Sequence, residues 1–84
     1  MSENEILVKL KKIVEPYVQR IEGLQNFQED TDFLNDLQIN SANLVDVVLD
    51  VEDEFNIEID NESMEGMLTV GDAKSIIQSK MSNM

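Results

Sequence analysis

The stretch DLQINSANLVDVVLDVEDEF, Asp36 to Phe55, decides the fold of this chain. Leu44, Val47, Val48, Val51 and Phe55 recur at spacings of three and four. That period gathers them on one side of a helix, while Asp46, Asp50, Glu52, Asp53 and Glu54 occupy the rest of its circumference. The helix is one-sided in charge as well, with no Lys or Arg between Ser41 and Phe55 to form an i,i+4 ion pair. A local repulsion of that kind is explained by something outside the chain, and a basic partner surface would relieve it.

Upstream, Ser2 with Glu5 makes a capping-box pattern, and Ile6, Leu7, Leu10, Ile13, Val14, Tyr17 and Val18 then keep a 3.6-residue period. This is the first helix. Pro16 lacks an amide hydrogen and crowds the preceding turn, so the helix kinks or stops near it, ending between Glu15 and Ile21. From Glu22 to Asn40 the chain reads as a long loop pinned by isolated apolar residues, an uncommon feature in a compact domain and one that usually signals function. Downstream, Asn56 to Asp60 is too short for an independent strand, and Asp60 or Asn61 caps a brief third helix running to Met67. Thr69 caps a last helix with Val70, Ala73, Ile76 and Ile77 inward and Lys80 near its negative end; the tail from Met81 to Met84 is expected to fray.

The chain has 84 residues, no internal repeat and no linker-like tract, so residues 1–84 are expected to form a single domain. So short a chain has little room for a deep cleft. Six basic residues against 18 acidic ones give a net charge of -12, which repels phosphate backbones and anionic membranes and attracts basic proteins. Nucleic-acid binding is therefore not expected. There is no Cys and no His, which removes thiolate nucleophiles and the commonest general base and metal ligand. No apolar run is long enough to span a bilayer and no signal peptide is visible, so the chain reads as cytoplasmic. The acids do not follow the ligand spacing of a calcium-binding EF-hand loop.

Taken alone, Ser41 is explained as a helix cap, because Ser and Asn side chains accept hydrogen bonds from the free amides of a first turn. It has no His partner and is not expected to act as a nucleophile by itself. A hydroxyl at an exposed helix start is nevertheless open to modification by another enzyme, and the positive end of the helix favours an attached phosphodiester.

An Asp-Leu pair, three residues, a serine, and then an apolar-periodic helix ending Glu-Asp-Glu-Phe resemble an acyl carrier protein around its prosthetic-group serine. The resemblance runs from Ile6 to Ile77 and is strongest between Asp36 and Ile59. It implies an all-α fold, an acyl-carrier-protein-like four-helix bundle with a short third helix and a long loop between helices one and two. It also implies that a phosphopantetheinyl transferase, with Mg²⁺, moves 4′-phosphopantetheine from coenzyme A onto Ser41. The thiol of that arm would then carry acyl groups as thioesters, in fatty acid, polyketide or related specialised biosynthesis.

By the same resemblance Asp36, Asp46, Leu49, Glu52 and Asp53 match positions shown to partner enzymes. Those partners would be the transferase and ketosynthase, acyltransferase or acyl-activating enzymes with basic patches, engaged by a monomer that catalyses nothing itself. Where the family usually has Asp-Ser-Leu this chain has Asn40-Ser41-Ala42, which points to a specialised carrier. The alternative is an unmodified adaptor of the same fold, binding basic partners through its acidic second helix. Met64 and Met67 either pack as ordinary core or flank an opening for an acyl chain.

Overall fold

The computed structural model describes residues 2–82. Helix α1 spans Glu3–Val14; its Ser2 cap accepts from the Glu5 amide at 3.2 Å, and the Ser2 hydroxyl donates to the Glu5 carboxylate at 3.3 Å. Ile6, Leu10 and Val14 form its buried stripe. Pro16 acts as the sequence predicts: the α-helix stops at Val14 and one 3₁₀ turn, Glu15–Tyr17, carries the chain out of it. The long loop is not wholly irregular, because Ile21–Gln25 forms a one-turn helix, α2. Arg20 gives α2 no side-chain cap, so tertiary contact supports it. Gly23 supplies that contact: a Cβ there would lie 2.4 Å from the Asp36 carbonyl oxygen, so only glycine lets α2 sit on the 36–37 backbone.

The remaining helices are α3 (Ser41–Phe55), α4 (Asn61–Glu65) and α5 (Val70–Ser82). Val47, Val48, Val51 and Phe55 of α3 are buried, with Leu44 packed partly buried at the edge of that face. Asn56 ends α3 in the left-handed region, φ 55°, which Asn tolerates better than most side chains. Asp60 caps α4 through the Ser63 amide at 3.1 Å, and Met67 is buried in the core while Met64 packs against it. Thr69 and Asp72 cap α5 reciprocally, each side chain accepting from the other's amide, at 3.1 and 3.2 Å. The expected fraying does not extend to Met81 and Ser82, which are helical; Asn83 and Met84 lie outside the described residues. Among the described residues there is no β-strand, only an isolated antiparallel bridge between Asp32 and Thr69.

That bridge belongs to a backbone seam. The Phe33 amide donates to the Leu68 carbonyl at 3.1 Å, Val70 to Thr31 at 2.9 Å, and Gly71 to Glu29 at 2.7 Å. Thr31 is buried, accepting from the Gln28 amide and donating to the Asn26 carbonyl. The loop is thus held at intervals by Phe33, Leu37 and Ile39 in the core and by backbone pairing to the start of α5.

Among the described residues one buried side chain is charged. Lys74, 7% exposed, sits on the inward side of α5 and reaches between Glu29 and Glu3, ion-paired to both. Its hydrogen bond to Glu29 raises the ammonium above the ordinary lysine value, outweighing the opposing effect of burial. The periodicity of α5 placed Val70, Ala73, Ile76 and Ile77 inward; Ile76 is only partly buried and Lys74 takes the remaining space, its stem packed and its head at the rim.

Candidate functional site: the start of helix α3

Three locks deliver the chain to the start of α3. Asp32 accepts from the Leu34 and Asn35 amides, both at 2.9 Å, while the Asp36 carboxylate accepts from the Asp32 amide at 2.8 Å, closing a tight turn. Leu37 is buried and its carbonyl accepts from the Gln19 and Arg20 amides. Ile39 is buried and its amide donates to the Phe33 carbonyl at 3.0 Å. Between these two anchors Gln38 turns the backbone with φ 53°.

The reading of Ser41 as the cap is corrected here by one residue of register. Asn40 is the cap, in extended conformation, with its side-chain oxygen accepting from the Ala42 amide at 2.9 Å and its carbonyl from the Leu44 amide at 2.9 Å. Ser41 is the first helical residue, is exposed, and its hydroxyl makes no hydrogen bond among the described residues. No acidic residue occupies the first turn of α3, although the helix is otherwise rich in acids. A covalently attached phosphodiester fits this position: the hydroxyl is uncommitted and exposed, and the first turn of α3 holds no acid to offset the partial positive charge of the helix start.

Along α3 the predicted contact residues fall into two groups. Asp46, Leu49 and Asp53 are exposed, Leu49 by 53%. Glu52 is half-buried, and its carboxylate accepts from the Ile59 amide at 2.7 Å, fixing the connection that leaves the helix. Asp36 is exposed but engaged in the turn before the serine. Asp50 also has an internal partner, the Tyr17 hydroxyl, which donates to it at 2.8 Å; that bond to a carboxylate holds the phenol above its ordinary value. Val45, 46% exposed, was missed in the sequence. It lies four residues from both Ser41 and Leu49, so the spacing that defined the buried face also contained the signal for an exposed row.

The chain matches the family profile for the phosphopantetheine attachment site over residues 12–75. It is similar to an acyl carrier protein of Lactobacillus acidophilus, with 40% identity over 79 residues that cover 94% of this chain and 96% of the relative. An acyl carrier protein of Prochlorococcus marinus is 40% identical over 80 residues, covering 95% and 98%. Among solved structures, the acyl carrier protein of Enterococcus faecalis superposes with a TM-score of 0.77 at 31% identity, covering 95% of this chain and 99% of that one.

Proposed function

The chain belongs to the acyl carrier protein family, and on that footing we propose that Ser41 is the residue that receives 4′-phosphopantetheine from coenzyme A. The observation that carries this reading is the uncommitted, exposed Ser41 hydroxyl, freed because Asn40 does the capping. When attached, the group supplies a thiol that holds acyl cargo as a thioester. The chain's own residues do the rest: the Asp32–Asp36 turn and the Leu37 and Ile39 anchors fix where the hydroxyl stands, and the acid-free first turn receives the phosphodiester.

Acyl carrier proteins are carriers rather than catalysts, and this chain is proposed to act as a single, monomeric, cytoplasmic carrier domain with no reaction of its own. Its partners are a phosphopantetheinyl transferase and ketosynthase, acyltransferase or acyl-activating enzymes with basic patches. Asp46 and Asp53 face them from α3 with Leu49 and Val45 as the apolar contacts, Asp36 joins them from the turn that precedes the serine, and Glu52 is both acid and brace. Electrostatics of this kind chiefly raise association rate and selectivity. The cargo is proposed to come from fatty acid, polyketide or related specialised biosynthesis. No described helix is long and apolar enough to cross a membrane. The unmodified-adaptor alternative is not favoured, since the matched family is defined by the attachment site.

Intact mass tests the proposal. After incubation with coenzyme A, Mg²⁺ and a broad-specificity transferase, the native chain gains one phosphopantetheine and Ser41→Ala gains none. Failure of the native chain to gain it, with transferases from the source organism included, overturns the assignment of Ser41 and supports the unmodified adaptor.

A further inference from the structure

Lys74 puts an ammonium group at a buried position of α5. A buried ion pair adds little net stability over an apolar side chain of the same length, so its use is best explained by the contact it specifies. The partners of Lys74 come from two segments distant in sequence: Glu3 at the start of α1, 3.8 Å away, and Glu29 in the long loop, to which it donates a hydrogen bond. At Glu29 the loop has little else to hold it, because Gln28, Glu29 and Asp30 are all exposed and the next buried residue is Thr31. The Glu29 backbone nevertheless lies directly on the first turn of α5, where a Cβ on Gly71 would come within 2.9 Å of the Glu29 carbonyl oxygen. Side chain and backbone bring the same residue onto the same helix.

From Glu29 a series of backbone hydrogen bonds leads to the site. The Gly71 amide donates to the Glu29 carbonyl, Val70 to Thr31 and Phe33 to Leu68, and the Phe33 carbonyl accepts from Ile39, which is buried two residues before Ser41. We infer that Lys74 is a positioning residue for loading: by pinning Glu29 it closes the far end of this seam and holds the loop in the arrangement that presents the Ser41 hydroxyl. It acts through Glu29 and the seam and needs no contact with the serine. Without the pin the seam opens at Glu29, and a transferase finds the presenting arrangement in only a fraction of the chains. Apparent affinity falls by that fraction, while the step within the bound complex keeps its rate.

This role rests on attachment at Ser41, and the test separates the two. KM and kcat for transfer from coenzyme A by one purified transferase are measured with the native chain, Lys74→Met, Glu29→Gln and Glu3→Gln as acceptors, together with amide hydrogen exchange of each unloaded chain. Methionine keeps the buried stem without the charge, and Glu29→Gln changes a side chain that is mostly exposed. Both are expected to raise KM on the order of threefold with kcat unchanged. Both speed exchange at Val70, Gly71 and Ile39 while the α1 amides of Leu10 and Val14 keep the native rate. Glu3→Gln alters a contact outside the seam and leaves KM at the native value. Lys74→Met and Glu29→Gln change net charge in opposite directions, so an effect of charge on a basic transferase would split them rather than move them together. Native KM in both variants, KM values that follow net charge, or exchange that quickens equally in α1 overturns the positioning role and leaves the attachment intact. If Lys74→Met does not fold, Glu29→Gln and Glu3→Gln, which carry the same net charge, decide the matter between them. A native chain that takes no phosphopantetheine overturns the attachment and this role with it.

Discussion

At the start of α3, Asn40→Ala removes the acceptor of the Ala42 amide and is expected to lower stability by about 1 kcal/mol in urea denaturation. Ser41→Ala deletes a hydroxyl with no internal partner and should stay within roughly 0.5 kcal/mol of the native chain. The reverse ranking would restore Ser41 as the cap and weaken the reading of its hydroxyl as free. Sequence could not choose between the two, since Asn and Ser cap almost equally well. What settles the register is tertiary: Ile39 is buried just before and Leu44 packs just after. Glu52 needs a finer cut, because it braces the Ile59 amide and belongs to the acidic face. Glu52→Gln retains an acceptor while removing charge, so it should slow partner association with little loss of stability. Glu52→Ala should also lower stability, by about 1 kcal/mol.

The α3 element carries its predictions on the exposed side. Reversing Asp46 and Asp53 to Lys should slow association with a basic partner on the order of tenfold at low ionic strength, measured by stopped flow, with the difference shrinking as salt is added. An unchanged rate would remove the acidic face from recognition. Long, strongly periodic α1 and α3 were legible because their apolar spacing alone defines them. The one-turn α2 was not, since it has no cap and is supported by Gly23 meeting the 36–37 backbone, a contact between segments distant in sequence. Val45 and Lys74 escaped for a related reason. A residue at the border of an apolar stripe turns in or out according to its neighbours, and a lysine stem can fill an apolar space while its head finds Glu29 and Glu3.

For the whole molecule, a net charge of -12 predicts a thermal midpoint that rises with NaCl or MgCl₂ as carboxylate repulsion is screened. A flat response would mean that the unfolded chain is equally repelled. The pH dependence has two limbs. Tyr17 and Lys74 both titrate higher in the fold than their ordinary values, so their contribution is complete below about pH 10 and fades as pH rises through the folded values. Asp60 is shifted the other way, chiefly by its hydrogen bonds with Ser63, with help from the Lys80 charge. Its contribution is present above the ordinary carboxylate range and is lost as pH falls through its lowered value. Tyr17→Phe should flatten the alkaline limb in a pH series of thermal midpoints.

The seam that ties Glu29, Thr31 and Phe33 to Leu68, Val70 and Gly71 has a consequence for timing during synthesis. The loop that presents Ser41 is made before its partners, which follow the whole of α3 and α4 in the chain. A nascent chain that has extended past Ser41 but not past Gly71 has the serine without the platform under it. Loading should therefore wait until the chain has emerged past Gly71, and ribosome-bound chains stalled before Leu68 should be poor substrates for a transferase that readily loads longer ones.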